Sequence, residues 1–460
     1  MKRHAEDDLL SWKNSPSRKP LVIRGARQVG KSFLVREFAA LQFSNCIEIN
    51  FERQSHLRAV FKTLHPQKII SSLELEVDKN ITPGQTLLFF DEIQAAPEVL
   101  ASLRYFYEEL PELHVICAGS LLEFSLSDPH YSVPVGRIEY RYLGPMNFEE
   151  FLEAIGEQRL KNFIAQTDWT NPPPSNIHEK LLGYVRIFMM TGGMPSSILA
   201  YLNTKSFLES EKVKVSIVET YREDIGKYKG KVDGERIRRV FDAIPAMIGK
   251  KFKYTHIDRE DSSKNLALAL DLLCKALVVS KVHHSDGNGA PLKQEARQNY
   301  FKPLFLDIGL MLTCLGFTIN DIDPSEDFTL VNEGAFAEQF VGQHLNYMDL
   351  FRKPECHYWL REHRSSNAEV DYIYSTGSHI IPIEVKAGKT GSLKSMQSFL
   401  FHKKRTFAIR ICSQPLSLTN AKFSLANGSE DEFELLTLPF YLVGQMARLI
   451  ERKLGIEPLT

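Results

Sequence analysis

The chain contains few cysteines and carries almost no net charge, and each of these features limits the kinds of site or partner that it can have. Its six cysteines lie far apart and form no C-x-x-C pair. This spacing argues against a zinc site or a disulfide framework and favours reduced, mostly buried thiols. The formal net charge is −1, so the chain as a whole does not attract nucleic acid or an anionic membrane. Any such binding must come from a local patch.

Long apolar runs are also missing. No stretch approaches the roughly 18 consecutive apolar residues that a membrane span needs. The charged start, Met1 to Glu6, leads into no apolar segment of signal-peptide type. We therefore expect a cytoplasmic protein with no membrane partner. Its length of 460 residues predicts about three domains of ordinary globular composition.

One stretch near the N-terminus matches the phosphate-loop pattern G-x-x-x-x-G-K-[ST]. It follows an apolar run, Leu21 to Ile23, and precedes a helical pattern from Phe33, which is the strand, loop and helix context that the pattern requires. Its glycines let backbone N–H groups turn towards phosphate. Its lysine can reach the β and γ phosphates of ATP, and its serine can ligate Mg²⁺. The predicted nucleotide-binding residues are Gly25, Ala26, Arg27, Gln28, Val29, Gly30, Lys31 and Ser32.

A second half of the same site is predicted at the end of an apolar run, Thr86 to Phe90. Asp91 follows directly and is assigned to magnesium, and Glu92 is assigned to activation of the attacking water. A buried strand that ends at an exposed acidic turn is the alternative, but the preceding phosphate loop favours the site. Helical spacing alternates with strand-like runs such as Cys46 to Phe51, which predicts a parallel sheet covered by helices.

A third strand is predicted at His114 to Ala118, and Ser120 follows it after one glycine. Ser120 would hydrogen-bond the γ phosphate or the water, or it would cap a helix that starts at Leu121. Both interpretations stay open.

Two arginines, Arg137 and Arg141, lie in the stretch PVGRIEYRYLGP. Ring-forming ATPases often place such an arginine in the nucleotide site of a neighbouring subunit. Arg137 is therefore a candidate nucleotide-contacting residue, and this role would imply a homo-oligomer. A solvated or salt-bridged arginine is the alternative.

The stretches GARQVGKS, LLFFDEIQ, CAGS and VGRIEYRYLGPMNFEEF resemble a prokaryotic family of AAA-type ATPases with a C-terminal restriction-endonuclease-like domain. The resemblance runs over almost the whole chain. It implies an α/β fold, with a P-loop parallel-sheet ATPase core, a helical lid, a winged-helix module and a C-terminal α/β nuclease-like domain. It supplies no substrate. The expected domains are residues 1–150 for the core, 151–230 for the lid, 231–325 for the winged helix and 326–460 for the nuclease-like domain.

The lid is expected to be helical from Phe148 to Ile225, interrupted by turns such as Gly192-Gly193-Met194-Pro195, which resembles a turn of the family's lid. Beyond it, nine basic residues stand against three acids, an excess of +6. Such an excess could follow a phosphate backbone, or it could be a solvated surface. The basic residues are Lys227, Lys229, Lys231, Arg236, Arg238, Arg239, Lys250, Lys251 and Lys253.

Three helices and a hairpin are predicted next, in a winged-helix pattern. The helices are Arg236 to Ile248, Thr255 to Arg259, and Ser262 to Ala276 with Ser262 as cap. The hairpin strands are Leu277 to His283 and Asn299 to Leu306. Winged helices bind duplex DNA, but they also serve as protein-docking modules. DNA is thus one candidate partner.

Three residues of the last third are predicted to meet on a hairpin. Asp371 lies in an alternating strand, and Glu384 follows 13 residues later with Lys386 two residues beyond it. Alternation places Glu384 and Lys386 on the same side of their strand. Two carboxylates suit Mg²⁺ or Mn²⁺, and a nearby lysine can position water or stabilise charge on phosphate.

This arrangement resembles the D…E-x-K core of PD-(D/E)XK nucleases. The resemblance implies that Asp371 and Glu384 are catalytic metal ligands, that Lys386 is catalytic, and that Glu338, on a helical pattern, is an accessory ligand of a second Mg²⁺ or Mn²⁺. Two functions follow. The chain would couple ATP hydrolysis to a DNA-contacting, metal-dependent nuclease module, or it would be a slow ATPase switch whose C-terminal modules only bind a partner.

Overall fold

The computed structural model describes residues 1–120, 122, 136–225, 232–317, 333–363, 366–388, 392–424 and 430–456. The chain divides into two compact units. The N-terminal unit comprises Met1–Pro145 with two short additions, Lys275–Val278 and Asp349–Lys353. The C-terminal unit comprises Met146–Cys274, Val279–Met348 and Pro354–Thr460.

The N-terminal unit is built on five parallel strands, paired in the order β2-β3-β4-β1-β5. Apolar residues fill β3 and β4 without alternation, and both strands are buried throughout, as expected for a parallel sheet covered on both faces. The predicted parallel-sheet core is confirmed. The strands are β1 (Leu21–Arg24), β2 (Asn45–Asn50), β3 (Thr86–Asp91), β4 (His114–Gly119) and β5 (Glu139–Tyr142).

Helices accompany these strands, and the predicted helix after the phosphate loop is present as α2. The helices described in this unit are α1 (Ala5–Asn14), α2 (Lys31–Gln42), α3 (Arg58–Phe61), α4 (Pro66–Val77) and α5 (Pro97–Glu109). Aromatic rings from β3 and α3 pack edge to face, with Phe61 and Phe90 at 5.2 Å between ring centroids. This packing anchors β3, the strand that ends at Asp91.

The carboxyl ends of the parallel strands meet at one edge of the sheet. Arg24, the last residue of β1, is in register with Gly119, the last residue of β4. The phosphate loop follows β1, and Asp91 ends β3, so the predicted nucleotide residues share this edge, where ligands bind in open α/β sheets.

The C-terminal unit combines many helices with one larger sheet. Its described helices are α6 (Phe148–Ala154), α7 (Gln158–Gln166), α8 (Ser175–Thr191), α9 (Pro195–Thr204), α10 (Phe207–Ile225), α11 (Gly234–Ala243), α12 (Ser263–Lys275), α13 (Ile308–Cys314), α14 (Glu333–Asn346), α15 (Lys394–Lys403) and α16 (Met446–Leu454). Its strands are β6 (Val279–Ser285), β7 (Ala296–Phe305), β8 (Cys356–His363), β9 (Ser366–Thr376), β10 (His379–Val385), β11 (Phe407–Cys412), β12 (Ser417–Ser424) and β13 (Glu430–Pro439).

The eight strands form one mixed sheet in the order β12-β13-β11-β10-β9-β8-β6-β7. The predicted wing strands are present as the antiparallel pair β6 and β7. However, β6 also pairs in parallel with β8. The hairpin therefore continues the sheet that carries the nuclease-like residues, and a winged-helix module is not confirmed.

The helical predictions around this hairpin differ in accuracy. The first expected helix ends as α11 at Ala243 and continues as a 3-10 turn, Ile244–Met247, where Pro245 interrupts it. The expected helix at Thr255 is only a 3-10 turn, Tyr254–His256. Ser262 does cap α12, because its hydroxyl accepts a hydrogen bond of 3.2 Å from the backbone N–H of Asn265.

The predicted lid segment is helical as expected, from α6 to α10. Its Gly-Gly turn packs on a buried acid, since the backbone N–H of Gly193 donates a hydrogen bond of 2.6 Å to Asp307. A Cβ atom at Gly192 would lie 2.2 Å from an Asp307 carboxylate oxygen, so glycine is required there. None of the helices described spans enough apolar residues to cross a bilayer.

Candidate nucleotide and nuclease-like sites

The phosphate loop has a backbone that depends on its two glycines. Gly30 has a φ of +95°, a conformation that residues with a side chain rarely adopt. At Gly25, a Cβ atom would lie 2.2 Å from the carbonyl oxygen of Leu143. The neighbouring strand end therefore packs directly against the start of the loop, and only glycine leaves the required space.

Lys31 is folded onto this loop. Its ammonium donates hydrogen bonds of 3.0 and 2.8 Å to the carbonyl oxygens of Gly25 and Ala26. Burial lowers the pKa of Lys31 to about 8, although the nearby carboxylates of Glu92 and Asp91 raise it. A phosphate group would supply the counter-charge that the burial of this ammonium calls for.

Ser32 and Asp91 are brought together, as predicted. The Ser32 hydroxyl donates to both carboxylate oxygens of Asp91, at 2.9 and 3.1 Å. Burial raises the pKa of Asp91, and the Ser32 hydrogen bond acts in the opposite direction. A buried carboxylate and a hydroxyl in contact form an oxygen donor pair that suits Mg²⁺.

Glu92 follows with a strained backbone. Its φ of 52° places a non-glycine residue in the left-handed region, which is uncommon and concentrates at functional sites. Its backbone N–H donates a hydrogen bond of 3.1 Å to Asp91. The side-chain amide of Gln94 donates a hydrogen bond of 2.6 Å to its carboxylate, so the orientation of the predicted base is held by a residue that the sequence analysis did not consider.

Ser120 lies at the tip of β4 with 5% of its surface exposed. Within the part of the chain that the structure describes, its hydroxyl has no hydrogen-bond partner. Leu121, where the alternative helix would start, lies outside the described residues. The hydroxyl is thus available for a ligand at this edge, and its role stays a prediction.

The two arginines considered for a neighbouring subunit are engaged within their own unit. Arg137 forms an ion pair of 2.8 Å with Glu108, and Arg141 forms one of 2.6 Å with Asp8. Arg137 is half exposed and its pair is a surface pair that is easily broken. Arg141 is nearly buried, which makes it the less available of the two.

Arg3 is a contributor that the sequence analysis missed. Its guanidinium is buried and donates hydrogen bonds of 2.8 Å to the carbonyl oxygen of Val29 and 2.9 Å to that of Gly144. It thereby ties the phosphate loop to the chain that follows β5. No sequence signal could have identified it, because it lies far from the motif in a segment that reads only as a charged start.

In the C-terminal unit, Asp371, Glu384 and Lys386 meet as predicted. Strands β9 and β10 pair in antiparallel fashion, and the last paired residues, Ile383 and Tyr372, immediately flank the two acids. A carboxylate oxygen of Asp371 accepts a hydrogen bond of 2.8 Å from the backbone N–H of Val385. The Lys386 ammonium donates one of 2.6 Å to Glu384.

Glu338 reaches the same place from α14, but its partner is a residue that the sequence analysis placed in a wing. The buried ammonium of Lys302, on β7, lies 2.9 Å from Glu338, 3.0 Å from Glu369 and 3.8 Å from Asp371. We call these six residues the acid cluster: Glu338, Glu369, Asp371, Glu384, Lys302 and Lys386. Lys302 was missed because its sequence neighbours predict only a hairpin.

Burial dominates the electrostatics of the cluster. It raises the pKa of Glu384 to about 7, with the charge of Asp371 adding to the effect. It also raises the pKa of Glu338 to about 7, although Lys302 opposes this. Burial alone would lower the pKa of Lys302, but Glu338, Asp371 and Glu369 raise it well above its usual value. Lys302 is therefore a permanent cation.

The acid cluster offers few side-chain oxygens that are free to bind a metal ion. Among the described residues, no group of three or more His, Cys, Asp or Glu side chains is arranged to hold a metal ion together. One oxygen of Glu384, a residue that is 5% exposed, has no hydrogen-bond partner in the described part of the chain. A buried, unsatisfied carboxylate oxygen suits a cation. The metal roles of Asp371, Glu384 and Glu338 stay predictions.

The basic segment, residues 227–253, carries less net positive charge than its composition indicates. Acids that lie outside the counted window neutralise much of it, for example Asp261, which is 2.5 Å from Arg236, and Glu362, which is 2.7 Å from Lys251. Arg238 pairs with Glu235 and Arg239 pairs with Asp258. Lys227, Lys229 and Lys231 lie outside the described residues.

Three family models match parts of the chain. Residues 17–152 match an AAA domain, residues 184–321 match a domain of unknown function (DUF8612), and residues 333–425 match another domain of unknown function (DUF4143). The first match, with the geometry of the phosphate loop and Asp91, supports a nucleotide-binding P-loop ATPase core of the AAA type. A restriction-endonuclease-like domain is not confirmed. No curated protein is similar enough in sequence to count as a match.

Several solved structures are similar in part, all at low identity. A Walker-type ATPase of Pyrococcus abyssi is 17% identical with a TM-score of 0.44, covering 68% of this chain and 95% of its own. The ORC2 protein of Aeropyrum pernix, in ADPNP and ADP complexes, is 11% identical with a TM-score of 0.34, covering 69% and 94%. RuvB of Thermotoga maritima is 15% identical with a TM-score of 0.26, covering 61% and 90%.

Proposed function

We propose that this chain is a magnesium-dependent ATPase that couples its nucleotide state to a DNA-contacting, metal-dependent nuclease module. In the N-terminal unit, Lys31 would bind the β and γ phosphates, and Ser32 with Asp91 would hold the Mg²⁺ that comes with ATP. When bound there, this ion would neutralise charge on the phosphates. Glu92 would take a proton from the attacking water while Gln94 fixes the orientation of its carboxylate.

The observation that carries the nuclease half is the meeting of Asp371, Glu384 and Lys386 on one hairpin. Two carboxylates there can hold a divalent ion, which would supply Lewis-acid activation of a phosphodiester. Lys386 is placed to stabilise the charge that develops on phosphate or to orient water. A nuclease-like site acts on phosphodiesters, which DNA and RNA share. DNA is proposed as the first polymer to test, and the ion-paired basic segment adds little to this proposal.

The proposal is tested by incubating the full chain with single-stranded and double-stranded DNA and RNA in Mg²⁺ or Mn²⁺. We expect cleavage of DNA that Asp371→Ala abolishes while ATP turnover stays at the wild-type rate. The matched control is Asp431→Ala, which removes an exposed acid of β13, and it should leave both activities unchanged. Cleavage that survives in Asp371→Ala would reject the proposed site.

A second function, the slow ATPase switch, is favoured by a specific observation. Lys302 already neutralises part of the acid cluster, and buried ion pairs of this kind also occur where an acid cluster only supports structure. In that case no divalent metal should support cleavage, and Lys31→Ala should change partner binding in the presence of ATP. Partner binding that is identical with and without ATP would reject the switch.

A further inference from the structure

The acid cluster has more negative than positive charge. It contains four carboxylates, from Glu338, Glu369, Asp371 and Glu384, and two ammonium groups, from Lys302 and Lys386. With all six groups ionised, its charge is −2. Buried charge is costly unless it is compensated. Protons on Glu338 and Glu384 can compensate it in the metal-free chain, and one divalent cation would compensate the same charge.

Lys302 divides the cluster into two parts. Its ammonium touches Glu338 and Glu369 at 2.9 and 3.0 Å, and the Lys302 side chain is only 2% exposed. A second cation close to Glu338 would have to share that carboxylate with a buried ammonium, and the two like charges would repel each other. The accessory acid is therefore occupied by a cation that belongs to the chain.

The other part of the cluster is less satisfied. Glu384 accepts from Lys386 through one oxygen, and its other oxygen is buried with no partner among the residues described. Asp371 lies farther from Lys302, at 3.8 Å. Mg²⁺ and Mn²⁺ are commonly held by one or two carboxylates, with water and substrate phosphate as the remaining ligands, so a third protein acid is not required.

We infer that the cluster binds a single divalent cation through Asp371 and Glu384, and that Lys302 is a built-in second cation which holds Glu338 and Glu369 and excludes a second metal ion. This inference rests on the proposed metal-dependent function and revises one expectation from the sequence: Glu338 is a partner of Lys302 rather than a metal ligand. Lys302 is thus a positioning residue, since it fixes two acids beside the metal.

The test counts bound Mn²⁺ by the electron paramagnetic resonance signal of free Mn²⁺, using the nucleotide-free full chain. The number of ions in the cluster is the count for each protein minus the count for an Asp371→Asn/Glu384→Gln double variant. This subtraction removes weak binding near Asp91. We expect one ion in the wild type. Lys302→Met exposes Glu338 and Glu369 to metal and should bind two.

Two further variants separate charge from folding. Lys302→Met/Glu338→Gln restores the net charge of −2 and should bind one ion again. If Lys302→Met alone does not fold, the wild-type count remains the test, because two ions there would contradict the inference. Lys302→Arg keeps the positive charge and should also bind one. An activity-independent check is thermal stability: Mn²⁺ should raise the melting temperature of Lys302→Met more than that of the wild type.

The possible results distinguish failure of the inference about Lys302 from failure of the proposed nuclease function. Two ions in the wild type, or a count of one in the folded Lys302→Met variant, overturn the inference about Lys302. A wild-type count of zero overturns it as well. One ion in the wild type with no cleavage of any nucleic acid rejects the proposed nuclease function and leaves the inference in place.

Discussion

The side-chain amide of Gln94 donates a 2.6 Å hydrogen bond to the carboxylate of Glu92, two residues earlier in the same turn. Glu92 itself has a φ of 52°, so a strained backbone and a side-chain contact together determine where the predicted base points. A hydrogen bond to a charged group contributes roughly 1.5–3 kcal/mol, which makes Gln94 a measurable part of the ATPase site.

We expect Glu92→Gln to lower kcat for ATP hydrolysis by about 10²- to 10⁴-fold, because it removes the group that accepts the proton. Gln94→Ala should lower kcat by about 10- to 10²-fold, which corresponds to one such hydrogen bond. Both variants should bind ADP with wild-type affinity, as measured by calorimetry. A loss of ADP affinity equal to the loss of kcat would mean that these residues build the loop rather than serve hydrolysis.

Gly25→Ala should weaken nucleotide binding without unfolding the chain. The added methyl group would lie 2.2 Å from the Leu143 carbonyl oxygen, so the loop must move away from its place. We expect ATP affinity to fall by at least about tenfold in calorimetry. The control is Gly183→Ala, in the interior of α8 with open space around it, which should stabilise the helix by up to about 1 kcal/mol and leave ATP binding unchanged.

Arg3→Met should destabilise the N-terminal unit, because it leaves the carbonyl oxygens of Val29 and Gly144 buried without a donor. Each unsatisfied group costs about 1–3 kcal/mol, and the loop that contains Val29 should bind ATP more weakly. The measurement is urea unfolding together with ATP titration. Arg104→Met removes an exposed ion pair with Glu108 and should cost no more than about 1 kcal/mol. Equal effects of the two variants would contradict the role of Arg3.

The acid cluster predicts a pH dependence of stability. Folding raises the pKa of Glu384 from 4.5 to about 7, so between these values the folded chain holds a proton that the unfolded chain has released. The free energy of unfolding should therefore fall as pH rises through this window, by an amount on the order of 1–3 kcal/mol, and level off above it.

Glu384→Gln removes this titration and should lessen the fall by the contribution of Glu384, whereas Glu338, whose pKa burial also raises to about 7, contributes to the fall in both proteins. The experiment compares urea unfolding of the wild type and the variant from pH 5 to pH 8, without added metal. Only the difference between the two curves is used, because buried histidines such as His344, whose pKa burial lowers to about 4, act in the opposite direction in both proteins. Parallel curves would show that folding does not raise the pKa of Glu384 above its usual value.

Much of the N-terminal unit was predictable because local patterns determine it. The apolar run before Gly25 and the one before Asp91 have strand length and end at chemistry-bearing residues, and the parallel sheet places those ends together. Arg3 and Gln94 could not be predicted in the same way. Their roles depend on contacts with the loop and with Glu92 that appear only when the chain is folded.

In the last third, the pairing of Asp371 with Glu384 was predictable, since a hairpin brings neighbours in sequence together. The position of Lys302 was not, because the hairpin that carries it reads locally as an independent unit. Its membership of the larger sheet arises from the pairing of β6 with β8, which are separated by 70 residues (Ser285 to Cys356). Local periodicity carries no information about such a partner.

This pairing has a practical consequence for dissecting the protein. A fragment that starts after residue 325, where the nuclease-like region was expected to begin, would leave behind two strands of an eight-stranded sheet and the ammonium group that neutralises Glu338 and Glu369. It would expose the edge of β8 to self-association and place two unbalanced acids beside the proposed metal ligands. Failure of such a fragment to cleave DNA would say nothing about the intact chain.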